Sequence, residues 1–171
     1  EMRAAGIAPN VISFSAAISA CEKGREWARA LSLLDGMRAD DLAPDRINFN
    51  AAISACEKGR KWMRAQLLLE EMRAARIAPD VISFGAVISA CAKGGEWEHA
   101  LSLFDELHAA GITPTVITFN AAISACEKAG EWERAMLLLD EMRAVGLAPD
   151  VISFNAAISA CEKARRGEAR G

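Results

Sequence analysis

The five prolines of this chain, Pro9, Pro44, Pro79, Pro114 and Pro149, fall 35 residues apart. Cys21, Cys56, Cys91, Cys126 and Cys161 keep the same interval, as do Trp27, Trp62, Trp97 and Trp132, so the period covers core positions as well as turns. A repeat of this length marks a solenoid of supersecondary units, none of which can bury its apolar face without a neighbour. The 171 residues are 52% hydrophobic, enough for a continuous core, and one elongated domain spanning 1–171 is the expectation. It divides into full repeats 11–45, 46–80, 81–115 and 116–150, flanked by the end of a preceding repeat at 1–10 and a partial repeat and tail at 151–171. Segment 1–10 matches the end of a repeat, which points to a piece of a longer array.

Within the first full repeat, Phe14, Ala17, Ile18 and Cys21 follow i, i+3, i+4, i+7, the stripe of an amphipathic helix. Ser13 precedes it, and Asn48, Ser83, Thr118 and Ser153 hold the same place, so these five are the expected N-caps. Gly24, Gly59 and Gly94, with Gly130 one place later, are the expected helix ends, because glycine tolerates a left-handed cap. A second helix starting at Glu26 carries Trp27, Ala30, Leu31, Leu34 and Met37 at helical spacing and stops before Pro44. Its turn holds glycine at Gly6, Gly111 and Gly146 but Asp41 and Arg76 in the other copies, which must use another geometry or accept strain. The tail from Ala164, with Arg165, Arg166 and Arg170, reads as the start of another second helix or as a cut end. The residues alone therefore predict an all-α stack of helix-turn-helix hairpins.

A net charge of −3 provides no global field for a polyanion, so nucleic-acid binding would need a local face. The cysteines stand in register on helices that would pack about 8–10 Å apart, beyond the roughly 7 Å limit of a disulfide, so they are expected to be reduced and the chain to live in a reducing, intracellular compartment. No apolar run approaches a membrane span. Metal binding and cofactors are not expected: no cysteines stand at CxxC spacing, no histidine accompanies them in register, and the phosphate-binding glycine motifs are absent. Catalysis is not expected either. His99 and His108 replace arginines of the sister repeats and read as surface substitutions, while the serines beside the cysteines recur in every copy, unlike a nucleophile needed once. Asp35 with Arg38, Glu70 with Arg73 and Asp140 with Arg143 read as solvated pairs.

What varies lies on an exposed strip of the first helix and just after the proline. The residue following each Phe is Ser15, Asn50, Gly85, Asn120 or Asn155, and the residue following each Pro is Asn10, Asp45, Asp80, Thr115 or Asp150. Helix capping or turn closure explains the second set and leaves the first unexplained.

The segment Val-Ile-Ser-Phe-Asn-Ala-Ala-Ile-Ser-Ala-Cys-Glu-Lys at 151–163, with the Gly-Glu-Trp, Glu-Met-Arg and Ala-Pro-Asp of complete copies, closely resembles the pentatricopeptide repeat of the P type, and the resemblance covers 1–163. The tetratricopeptide repeat, a protein-binding relative with a 34-residue period, expects its Trp early in the first helix, whereas here Trp opens the second. The resemblance implies a right-handed α-solenoid superhelix that binds single-stranded RNA, one base per repeat, without enzymatic activity or small-molecule substrate. It implies base-reading pairs Ser15 with Asp45, Asn50 with Asp80, Gly85 with Thr115 and Asn120 with Asp150, with Asn155 reading alone. Ile12, Ile47, Ile82, Ile117 and Ile152 would sandwich the bases, and Lys23, Lys58, Lys93, Lys128 and Lys163 would approach phosphate. The family's code implies a core 5′-G-U-N-U followed by a pyrimidine, and its members' usual setting is a mitochondrion or plastid. The alternative is a protein-interaction scaffold on the same face, suggested by the negative net charge and by Glu22, Glu57, Glu127 and Glu162 beside four of the five lysines.

Overall fold

The computed structural model describes residues 9–168; Gly6 and Arg170, placed above in a turn and in the tail, lie outside the described residues. Among the described residues there are nine helices and no strand: α1 (Val11–Gly24), α2 (Trp27–Ala39), α3 (Arg46–Lys58), α4 (Trp62–Ala74), α5 (Val81–Gly94), α6 (Trp97–Ala109), α7 (Val116–Ala129), α8 (Trp132–Ala144) and α9 (Val151–Glu168). Contacts divide the chain into two compact units, Glu1–Pro79 and Asp80–Gly171. In the first, α1 packs on α2 and α3, and α3 packs on α2 and α4. In the second, α5 packs on α6 and α7, while α7 packs on α6, α8 and α9, and α9 packs also on α8. Within the units, α3 and α7 thus each meet their own second helix and both helices of the preceding repeat. This is the helical-hairpin repeat expected.

The core follows the stripes. Phe14, Phe49, Phe84 and Phe119 are buried from the first helices, with Ile18, Ile53, Ile88 and Ile123 a turn later. The second helices contribute Ala30, Ala65, Ala100 and Ala135, whose lack of side-chain bulk lets the hairpin close, then Leu34, Leu69, Phe104 and Leu139. The cysteines are all free, and four of the five are buried. Burial pushes the thiols of Cys56, Cys91 and Cys126 up to about 11, so they behave as packing groups.

Helix boundaries differ from expectation in ways the capping chemistry explains. The N-caps of α1, α3, α5 and α7 are Asn10, Asp45, Asp80 and Thr115, each accepting from the backbone N–H three residues on. Ser13, Asn48, Ser83 and Thr118 are instead the third helical residues, and in α3, α5 and α7 they close a reciprocal capping box. Asp150 and Ser153 bond in the same reciprocal way at the start of α9, at 2.9 and 3.1 Å. Both positions are polar and three apart, so either could be mistaken for the cap.

The second helix begins at Trp27, with Glu26 in the cap position making no side-chain cap bond. The first helices end through a left-handed residue, at Gly130 as expected and at Arg25, Arg60 and Gly95 one place after the expected glycine. There the N–H of the following residue reaches back five, as Glu26 does to Cys21 and Lys61 to Cys56, at 2.9 and 2.8 Å. Gly59 has φ −81, and its requirement is space: a Cβ there would stand 2.6 Å from Trp27 Cδ1. The second-helix turns share one geometry, with Asp41 and Arg76 accepting the same left-handed φ as Gly111 and Gly146. α9 runs on to Glu168 where sister helices stop, so residues 164–168 continue the first helix and do not begin a second.

Two surface expectations also change. The pairs Asp35–Arg38, Glu70–Arg73 and Asp140–Arg143 form at 2.9–3.2 Å. Arg38 does more: it reaches Glu71 of the next hairpin at 2.6 Å and covers the Phe49 ring at 5.6 Å, so it ties repeats together. His99 is exposed and the His108 side chain is 33% exposed, but its ring also packs edge-on against Phe104 and Phe119, its Nδ1 meets the Phe104 carbonyl at 3.0 Å, and its Nε2 is shielded 3.4 Å from Glu141. The imidazole takes over Phe119 and beside Glu141 the place that Arg38 takes over Phe49 and beside Glu71.

Candidate nucleic-acid interface

Five isoleucines at the second position of the first helices, Ile12, Ile47, Ile82, Ile117 and Ile152, are 59–76% exposed. At that position the side chain points away from the hairpin core while helix geometry holds its direction. Single exposed aliphatics are ordinary, but one at the same place in each of five repeats is a regular set of apolar surfaces.

Beside them sit the residues that follow Phe. In the second unit, Asn120 on α7 is nearly buried and its Nδ2 donates to both carboxylate oxygens of Asp150, at 3.1 and 3.2 Å. Its Oδ1 accepts from the Ser153 hydroxyl at 2.5 Å. The two protons of an amide diverge, so a single carboxylate engages one of them, and the carbonyl accepts with one of two lone pairs. Asp150 Oδ1 and Ser153 Oγ lie 3.0 Å apart, so they take the N–H and lone pair that point the same way, and the N–H and lone pair that remain diverge to either side. The carboxyl of Asp150 is held below its ordinary 3.8, first by the Ser153 backbone N–H and then, against a burial penalty, by the Asn120 amide and the Ile152 backbone N–H. Asp150 therefore caps α9 and orients Asn120 as a carboxylate.

The first unit arranges the same positions with opposite polarity. The Ser15 hydroxyl donates to the Val11 carbonyl at 2.8 Å and accepts from Asn48 Nδ2 at 2.7 Å. Its proton is spent, leaving an acceptor. Asn48 also bonds Asp45, donating its N–H to Oδ1 and accepting at Oδ1 from the Asp45 N–H, both at 3.0 Å, so Asn48 links Ser15 to Asp45. Gly85, buried on α5, offers no polar group, and a Cβ there would lie 3.2 Å from the Thr118 methyl. Thr115 caps α7, and the Thr118 hydroxyl turns to the Thr115 carbonyl at 2.9 Å. Asn50 is half-buried on α3, Asp80 caps α5 with bonds from Ile82 and Ser83, and Asn155 is exposed on α9. Asn120 and Asp150 are thus in direct contact, while Ser15 and Asp45 are joined through Asn48.

The lysine column is engaged along the stack. Lys58 meets Glu22 at 2.8 Å and Lys163 meets Glu127 at 2.6 Å, each one repeat back. Lys128 donates to the Ala92 carbonyl at 2.7 Å, where the sister repeats carry glutamate. Burial raises the Glu127 carboxyl, but hydrogen bonds from Lys163 and Ser159 and the nearby lysine charges outweigh it and set it below its usual value. The sequence noted Glu beside Lys; it did not show that the ammonium groups of Lys58, Lys128 and Lys163 reach back to the preceding repeat. It also missed Asn48 and Ser153 as partners of Ser15 and Asn120. The available signal was a polar residue in every repeat at a position that is 0–1% exposed in all four full or partial copies from Asn48 onward.

Against known proteins, residues 3–169 match the family model described as the pentacotripeptide-repeat region of PRORP. The pentatricopeptide repeat protein PPR10 in complex with an 18-nt psaJ RNA element superposes with a TM-score of 0.81 at 32% identity, over 94% of this chain and 23% of that one. PPR10 from maize gives 0.81 at 25% identity over 100% of this chain, so the chain spans about a quarter of that protein's length. The PPR domain of Arabidopsis thaliana protein-only RNase P 1, crystallised with tRNA, gives 0.76 at 16% identity over 88% of this chain and 80% of that one, a likeness of fold. Among curated proteins, none matches closely enough to count as a relative. With its 35-residue hairpins and a family match over nearly its whole length, the chain belongs to the pentatricopeptide-repeat family.

Proposed function

We propose that this chain binds single-stranded RNA in a sequence-specific way, one base per repeat, and performs no chemistry on it. The observation that carries this reading is the Asn120–Asp150 contact beside the exposed Ile117 and Ile152. A base entering there would lie between two aliphatic side chains and meet the N–H or the lone pair left on the Asn120 amide, the first suited to a uracil carbonyl and the second to its N3–H. At Ser15 and Asp45 a base meets only acceptors, which suits the N1–H and exocyclic amine of guanine. Gly85 supplies no group, so its register reads nothing. With Asn50 treated as Asn120, the preferred core is 5′-G-U-N-U, followed by a pyrimidine opposite Asn155. The lysine column would supply phosphate contacts once its carboxylate partners are exchanged for phosphate, which predicts modest affinity and steep salt dependence. The same reading places the chain in the RNA metabolism of a mitochondrion or plastid. PPR10 bound to its RNA element supports it by likeness.

Fluorescence anisotropy with an RNA carrying GUNU and a scrambled control at low salt is the test. The matched RNA should bind about tenfold tighter, the worth of one or two net hydrogen bonds. Asn120→Thr should move the preference at its register from uracil toward guanine, because a hydroxyl whose proton goes to the Val116 carbonyl, as that of Ser15 does to Val11, leaves only an acceptor. Equal binding of matched and scrambled RNA would refute base reading. A second reading, a protein scaffold, is favoured by the occupied lysines: Lys58 and Lys163 are already neutralised by Glu22 and Glu127. Recovery of a protein partner after nuclease treatment, with no RNA crosslink, would select it.

A further inference from the structure

We infer that the base-reading residues Ser15 and Asn120 are each set by a third side chain, 33 residues downstream at the third position of the next first helix. For Asn120 this positioning residue is Ser153. The inference rests on the base-reading assignment above and goes beyond it, since it makes the specificity of one repeat depend on a residue of the next that contacts no base.

The chemistry runs in one direction in both complete examples. Asp150, as a carboxylate, can only accept, so the Asn120 amide must turn Nδ2 toward it. Oδ1 is then aimed at the Ser153 oxygen 2.5 Å away, and because a carbonyl cannot donate, the Ser153 hydroxyl must. Ser153 is 0% exposed, so no water can take over the bond. Its oxygen also lies 3.0 Å from Asp150 Oδ1, but a hydroxyl has one proton, and the shorter bond to Asn120 claims it. In the first unit the equivalent side chain, Asn48, likewise donates to the oxygen of its reader, Ser15, and drives the Ser15 proton onto the Val11 carbonyl. The third case is the control within the molecule. Gly85 has no oxygen to receive a bond, and there the Thr118 hydroxyl turns back to the Thr115 carbonyl and its methyl faces the glycine.

The consequence is specific to the distinction between pyrimidines. Uracil presents N–H at N3 where cytosine presents a lone pair, so an asparagine that flips its amide exchanges preference for one with preference for the other. Asp150 and Ser153 pin opposite ends of the amide, and removing Ser153 leaves one end loose.

Ser153→Ala and Ser153→Thr should be compared with the parent chain for binding to two RNAs, 5′-GUAUU and 5′-GUACU within an adenine run. These differ only at the Asn120 register. The alanine variant should lose about fivefold in its uracil-to-cytosine ratio, the worth of one net hydrogen bond. Threonine, which occupies the same position at Thr118, should restore it. A ratio unchanged in the folded alanine variant, or one that threonine does not restore, overturns the inference while leaving base reading intact. A parent chain that does not distinguish the two RNAs overturns base reading and the inference with it. Ser153→Cys, similar in volume and a poor donor, takes the place of alanine if circular dichroism shows the alanine variant unfolded, with the same expected loss.

Discussion

Gly85 and Thr118 form a pair whose energies separate cleanly. Gly85 sits inside α5, where glycine costs about 1 kcal/mol relative to alanine. A Cβ there would lie 3.2 Å from the Thr118 methyl, tighter than comfortable contact, so Gly85→Ala alone should return only part of that gain, between zero and about 1 kcal/mol. Thr118→Ser keeps the hydroxyl that bonds Thr115 at 2.8 and 2.9 Å and removes only a buried methyl, a loss of about 1 kcal/mol. In the double variant the alanine methyl moves into the space the threonine methyl left. The helix gain is then realised in full and part of the lost burial returns, so the two changes should couple favourably by about 1 kcal/mol. Urea denaturation of the four proteins, completing the cycle, measures this directly. Additivity within about 0.4 kcal/mol would mean that the Thr118 methyl does not fill the space beside Gly85, and the account of that silent register would fail.

Two further predictions concern stability. Arg76→Gly should stabilise the chain by about 0.5–1 kcal/mol, because Arg76 holds a left-handed φ of 58 that Gly111 and Gly146 adopt freely in the sister turns, less the extra entropy glycine gives the unfolded chain; a thermal melt that moves downward would contradict it. Cys56, Cys91 and Cys126 ionise near 11 when folded and near 9.0 when unfolded, so burial favours the folded state less once the unfolded thiols deprotonate. Stability should be fully present below pH 9 and decline as pH rises toward 11, read as a falling urea midpoint. At pH 8 a thiol reagent should label half-buried Cys161 before these three.

Everything that occurs once per repeat in a single column was legible in the sequence: the hairpin, its phenylalanine and alanine core, the turn that Asp41 and Arg76 must strain to make. What escaped lies between columns or between chemically similar neighbours. A capping box has two polar residues three apart, and the sequence pattern favoured the inner one, Ser13 or Asn48, because it adjoins the apolar stripe; the backbone chose the outer, Asn10 or Asp45, because only a residue in extended conformation can cap. Arg25 and Arg60 stand at left-handed positions where composition suggested glycine one place earlier, since the Gly59 requirement comes from the Trp27 ring and not from its own φ. The links from Lys163 to Glu127, Arg38 to Glu71 and Ser153 to Asn120 each join one repeat to the next, across 36, 33 and 33 residues. Reading repeats one beneath another aligns equivalent positions and hides such links, because the partners belong to different columns. On the proposed reading, the physical unit of the interface is therefore not the repeat but the junction: a reader from one first helix, a cap and a buried donor from the next. Exchanging a whole repeat would change two junctions, and its reader would inherit the donor of whichever repeat follows it.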